Sequence, residues 1–209
     1  VSVMGSLIPI PFDVSLGVLA YGMSLPMVAS EEEQSLGIRI ELADVSLSDN
    51  VWDLFDPFNV FNRDTVSVKF DVSGLMRLLK DYASFDVENA GDIGALRAAA
   101  EMRSVKIKSL MLSALGASAQ VEGEFSFDSS DYYTFGGIPR PEGSLRLTMK
   151  GVNSLLDKLS NSGLIGADEV MGARMFMGMF TVPVGRDELE AELWIDENGG
   201  VYANGQQIQ

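Results

Sequence analysis

Strict two-residue alternation of apolar and polar side chains, recurring over most of the length, is what most constrains how this chain folds. Leu36, Ile38, Ile40 and Leu42 alternate with Gly37, Arg39 and Glu41. Val66, Val68, Phe70 and Val72 alternate with Ser67, Lys69, Asp71 and Ser73. Ala117, Ala119, Val121, Phe125 and Phe127 form a third row, Leu145, Leu147 and Met149 a fourth, and Leu189, Ala191, Leu193 and Ile195 a fifth. Successive strand side chains point to opposite faces, so each row predicts a strand with one apolar and one wet face. That is the habit of antiparallel sheets. The phase slips at Ala43–Asp44, where Val45 and Leu47 take over, which predicts a β-bulge. Near the end, Glu197-Asn198-Gly199-Gly200 reads as a hairpin loop and Asn204-Gly205 as another tight turn.

Helical spacing is rarer. Val152, Leu155, Leu156 and Leu159 follow i, i+3, i+4, i+7, with Gly163 placed to end that helix. Ala167 to Phe180 is a second helix, opened by Asp168 and Glu169 where acids suit the N-terminal dipole. Asp92 to Met102 is an Ala-rich third, and Asn50 to Phe55 allows one turn before Pro57 stops it. The expectation is an α+β fold in one domain over residues 1–209: a curved, mainly antiparallel sheet with a few packed helices.

An internal similarity adds detail. Residues 63–82 laid over 140–159 match at Arg63/Arg140, Ser67/Ser144, Gly74/Gly151, Leu78/Leu155 and Leu79/Leu156. Each copy reads as arginine, strand, glycine, helix, the glycine serving a sharp corner, so the fold is expected to hold two related strand-Gly-helix units.

Composition excludes more than it proposes. The 209 residues contain no cysteine and no histidine, which removes Ser-His-Asp and Cys-His catalysis, thiolate or imidazole metal sites, and disulfides. No G-x-G-x-x-G, Gly-Lys, G-x-S-x-G or S-x-x-K pattern occurs. The formal charge of −15 repels nucleic acid and anionic membrane surfaces overall, and no nucleic acid is expected as a partner. Residues 1–62 carry nine acids and one base, 63–108 seven and eight, and 109–209 fourteen and six. The uncharged stretch from Val14 to Ser30 contains Gly17, Gly22 and Pro26, so it reads as paired strands rather than a membrane helix. No cofactor, metal or catalytic residue is assigned, and the chain is expected not to be an enzyme.

Four local features invite a functional reading, each beside a plainer one. Lys106 and Lys108 form either a small basic patch or a solvated strand face. Asp128-Ser129-Ser130-Asp131 and Asp196-Glu197-Asn198-Gly199 are either calcium-type oxygen clusters or ordinary surface turns. Met171, Met175, Phe176, Met179 and Phe180 share one helix face, either a soft contact for an apolar ligand or the core side of an amphipathic helix. Trp52, Phe55, Phe58 and Arg63 form either a binding rim or a loop anchored by aromatic burial with Arg63 paired to an acid.

Trp52 with Asp56-Pro57, Arg63-Asp64, Thr134-Phe135, Pro139-Arg140-Pro141-Glu142-Gly143, Gly151 with Leu155-Leu156, Arg174-Met175 with Gly178, and Ala203-Asn204-Gly205-Gln206 recur in order over residues 44–209. Together they resemble domain-of-unknown-function family 2125, uncharacterised alphaproteobacterial envelope proteins. Thr65 stands where that family tends to have proline. The resemblance implies a periplasmic protein, of which this chain is a C-terminal portion behind an export signal; it implies no activity, cofactor or site residue. The leading expectation is a non-enzymatic envelope protein binding an apolar or amphipathic, lipid-like ligand in a sheet-helix groove. The alternative is a structural or interaction module that meets another envelope protein through a strand edge or the acidic face of Glu188, Glu190 and Glu192.

Overall fold

The computed structural model describes residues 13–84, 94 and 98–208. One open, curved, eleven-stranded sheet dominates it. In chain order the elements are β1 (Val14–Ser15), β2 (Val18–Ser24), β3 (Gln34–Leu47), α1 (Asp49–Phe55), β4 (Val66–Leu78), β5 (Ala100–Ala114), β6 (Ala117–Asp128) and β7 (Arg140–Lys150). There follow α2 (Val152–Asn161), α3 (Ala167–Phe180), β8 (Val182–Gly185), β9 (Glu188–Ile195), β10 (Val201–Ala203) and β11 (Gln206–Gln207). The strands pair antiparallel in the order β1/β2, β3, β4, β5, β6, β7, β9, then β8 and β10 along the outer edge of β9, with β11 last. The fold is therefore α+β and mainly antiparallel, as the alternation predicts.

Register carries the sequence pattern across the sheet. Tyr21, Ile40, Phe70, Leu110, Val121, Leu147 and Ala191 are direct cross-strand partners in succession. The rows on either side of them are apolar as well. Residues one position along face the other way and are polar apart from Ala20, Gly22 and Met111. There Lys106 lies 2.9 Å from Glu124, Lys150 2.6 Å from Glu188 and Arg146 3.3 Å from Glu192. Such exposed pairs are worth about 0–1 kcal/mol each, so they define the wet face more than they stabilise it. The predicted slip occurs between Leu42 and Val45, with Asp44 at φ 56°.

The helices over Ala167–Phe180 and from Val152 form as expected, and Gly163 follows α2 at φ 76°. The corner at Gly151 also forms, at φ 70°, which a side chain would strain. The N-terminus of α2, whose cap is a glycine, is closed from a distance. Asp187, on the β8–β9 turn, accepts hydrogen bonds from the Asn153 and Ser154 amides at 2.9 Å each and from the Ser154 hydroxyl at 2.6 Å. Arg174 of α3 donates to Asp157 at 2.8 Å and so ties the two helices together.

One expectation is corrected and another is shortened. The first proposed strand-Gly-helix unit has no α-helix directly after its glycine, because β4 runs unbroken through Gly74 to Leu78, with only a 3-10 turn at Tyr82–Ser84 beyond it. Gly74 serves close approach instead: a Cβ there would fall onto the Ser104 carbonyl of β5. Only the second unit turns, at Gly151. The Ala-rich helix proposed for Asp92 to Met102 lies partly outside the described residues; Gly94, Ala98 and Ala99 within it are helical, while its last three positions open β5. Their pairing with β4, including Arg77 2.9 Å from Glu101, overrides alanine's helical preference.

Burial is concentrated at the margins. Val51, Trp52 and Phe61 are buried around α1, Leu78 and Ala99 where β4 and β5 join, Val170 in α3, and Ile195 and Val201 at the β9–β10 hairpin. The long middle of the sheet contributes almost nothing to this set, although its residues are apolar.

Candidate functional site

The candidate site is that apolar face. Seven strands, β2 to β7 and β9, place apolar side chains side by side over about 29 Å at the usual spacing of about 4.8 Å per strand. On an ordinary sandwich such a face is covered. Here Tyr21 is 86% exposed, Met23 72%, Ile40 46% and Leu112 51%. Ile38 and Phe70 are exposed as well, and the apolar residues of β6, β7 and β9 are mostly half-buried. α2 packs near the start of β6 and leaves the β2–β5 side of the face open to solvent.

α3 provides a second apolar surface. Val170, Ala173 and Met177 form its inward row, while Met171, Met175, Phe176, Met179 and Phe180 stand in solvent at 43–69% exposure. The helix thus keeps the five predicted residues on one side, but that side is not packed in a core. Phe176 and Phe180 touch each other, ring centroids 5.2 Å apart. Asn204 in the last turn donates from Nδ2 to the Phe180 carbonyl at 2.8 Å and accepts from the Glu192 amide at 2.9 Å, fixing the end of α3 against β9.

The aromatic cluster near α1 divides. Trp52 is buried, 5% exposed, with the Arg63 guanidinium 5.8 Å from its ring centroid. Arg63 also bonds Asp49 at 2.9 Å and Asp53 at 2.8 Å, and these carboxylates hold its pKa above the ordinary value, the Asp53 hydrogen bond being the larger cause. Trp52 and Arg63 therefore lie inside the loop rather than on a rim. Asp56, itself buried, accepts from the Val60 amide at 2.8 Å and the Phe61 amide at 3.0 Å and fixes the turn after α1. Phe58 stands in solvent, and the side chain of Phe55 lies outside the described part.

The oxygen-rich turns are closed by their own hydrogen bonds. Asp128 accepts from Ser130 and from Arg140, which together hold its pKa at about 2, the Ser130 hydroxyl first. Asp131 is held below its ordinary value chiefly by the Thr134 hydroxyl, and Asp196 chiefly by the Gly200 amide. Among the described residues no group of three or more acidic side chains is placed to hold a metal ion. Lys106 is paired with Glu124, and Lys108 lies 4.0 Å from Asp71, so the two lysines sit in the ion-pair pattern of the wet face.

No helix among the described residues is long and apolar enough to cross a membrane. What the sequence reading missed is the exposed β2–β5 portion of the apolar face. Its signal was available in the alternating rows, since many parallel rows need a covering layer and few helices were expected to provide one. No protein-family model matches the chain, and no curated protein or solved structure matches it either.

Proposed function

We propose that this chain is a non-enzymatic binding module of the cell envelope that holds an apolar or amphipathic, lipid-like molecule against the apolar face of its sheet. The observation that carries the proposal is the continuous register of apolar residues across seven strands, with Tyr21, Met23, Ile40 and Leu112 exposed within it. Each methylene moved from water onto such a surface contributes about 0.8 kcal/mol, so a dozen contribute about 10 kcal/mol. That is comparable to the cost of association, about 4–15 kcal/mol. The Met171–Phe180 side of α3 supports the same reading, because flexible thioethers adapt to chains of varied shape. The periplasmic location belongs to the proposal and rests on the resemblance to family 2125 through the residues quoted above.

Native mass spectrometry of protein purified without detergent tests this reading. The expected result is a series of added masses in the lipid range that solvent extraction removes. A mass equal to the bare chain, with no uptake from phospholipid vesicles, would overturn it.

A second reading, an interaction module, is favoured by one observation. β2 carries no charged residue over Val18–Ser24 and pairs with β3 alone among the described residues, so its outer edge can accept another strand. A concentration-dependent dimer abolished by Gly22→Pro would support it, and a monomer at all concentrations would count against pairing between copies.

A further inference from the structure

On the wet face of the sheet, Trp194 follows Glu188, Glu190 and Glu192 in phase, and it is 47% exposed. An indole standing half in water among charged neighbours is uncommon. Tyr202, its direct partner on β10, stacks against it with ring centroids 4.7 Å and planes 29° apart. The Tyr202 hydroxyl donates to Asp196 at 3.1 Å, so the aromatic pair is backed by a carboxylate. On the other side, the residue directly opposite Trp194 is the small Ser144 of β7. A shallow depression of ≈ 300 Å³ opens there, lined by Ser144, Glu192, Trp194, Tyr202 and Gly205.

We infer that this depression binds an organic cation of the methylated-ammonium class, seated on the Trp194 ring with Glu192 as its counter-charge. The face of an aromatic ring attracts a cation within about 6 Å of its centroid, tryptophan most strongly. A methylated ammonium suits the slot better than a bare metal ion or a primary ammonium, because it is weakly hydrated and its methyl groups pack on the indole. Glu192 is the charged group lining the depression, and its carboxylate shares one oxygen with Arg146 at 3.3 Å. Residues 109–209 carry fourteen acids against six bases, a field that concentrates cations at this end of the sheet. The site lies on the opposite face from the apolar rows, so it does not depend on a lipid being bound.

The protein has two tryptophans, and Trp52 is 5% exposed, which makes it an internal control. Indole N–H signals are followed by NMR while tetramethylammonium chloride is added, with sodium chloride at equal ionic strength as reference. The expected result is a saturable shift of the Trp194 signal with Trp52 unmoved, and half-saturation several-fold weaker in Glu192→Gln. A shift no different from sodium chloride, or unchanged affinity in Glu192→Gln, would overturn the assignment. So would a response to maltose but not to the cation, which marks a sugar platform instead. Trp194→Phe, which keeps a ring and the hairpin packing, should retain weaker binding, read from the Ser144 and Gly205 amides; equal binding in Trp194→Leu would contradict the role of the ring.

Discussion

Asp187 is the most economical place to perturb the link between sheet and helices, because it does two separable things. Its carboxylate takes three hydrogen bonds from the first turn of α2, and its backbone sits at φ 54° in the turn between β8 and β9. Asp187→Asn keeps one acceptor oxygen and tolerates that backbone, so it should cost about 1 kcal/mol. Asp187→Gly removes every side-chain bond but relieves the backbone, for about 2 kcal/mol. Asp187→Ala loses the bonds and adds about 1 kcal/mol of left-handed strain, for about 3 kcal/mol. Urea unfolding at neutral pH reads the series directly as shifts in midpoint at constant slope. Burial pushes the Asp187 carboxyl up, but the hydrogen bonds from Ser154 and Asn153 outweigh it and leave the folded pKa below its ordinary value. A lowered folded pKa means stabilisation that is present above the unfolded value of about 3.9 and lost as pH falls through the folded one. The gap between wild type and Asp187→Asn should therefore be full at pH 7 and shrink in acid. Three variants of equal stability, or a gap that widens in acid, would mean that these hydrogen bonds do not stabilise the fold.

Asp56→Ala leaves the Val60 and Phe61 amides without their acceptor, and at about 1–3 kcal/mol for each unsatisfied group calorimetry should show a clear fall in Tm. Gly74→Ala drives a methyl onto the Ser104 carbonyl and should lower the urea midpoint sharply. Gly172→Ala, with open space at its Cβ inside α3, should stabilise the fold by about 0.5–1 kcal/mol and raise that midpoint. Carboxyl NMR should place the Asp128 midpoint at about 2 and move it upward in both Ser130→Ala and Arg140→Gln; a midpoint that stays put would mean these bonds are not what holds it down.

The sheet was legible because alternation is a local pattern with one geometric solution. The rows at Leu36–Leu42 and Leu189–Ile195 are strands with their apolar side where the phase puts it. α3 was legible for the same reason, with Asp168 and Glu169 opening it and Val182 taking up strand after it. The failures came where tertiary contact outweighs local preference. Gly74 resembles Gly151 in sequence and both lie tight against neighbouring backbone, yet the strand runs on through Gly74 and stops at Gly151, where φ is 70°, and no local signal separates those contexts. Exposure was the least legible property. Met171 and Met175 share a face in either reading, and only the packing of α2 and α3 shows that this face looks outward. Trp194 was readable in one respect, since it lies in phase with three glutamates rather than with Leu189 and Leu193.

A ligand on the apolar face lies on one side of the sheet only, and the absence of cysteine allows its position to be measured with one label at a time. Ile40 faces the apolar side of β3, and its neighbour Arg39 faces the wet side with 54% of its side chain exposed. Ile40→Cys and Arg39→Cys, each carrying a polarity-sensitive bimane, are mixed with phosphatidylcholine vesicles and then separated from them. A ligand held on the apolar face gives a persistent blue shift of emission at position 40 and none at position 39. An equal shift at both positions, or none at either, would contradict that placement.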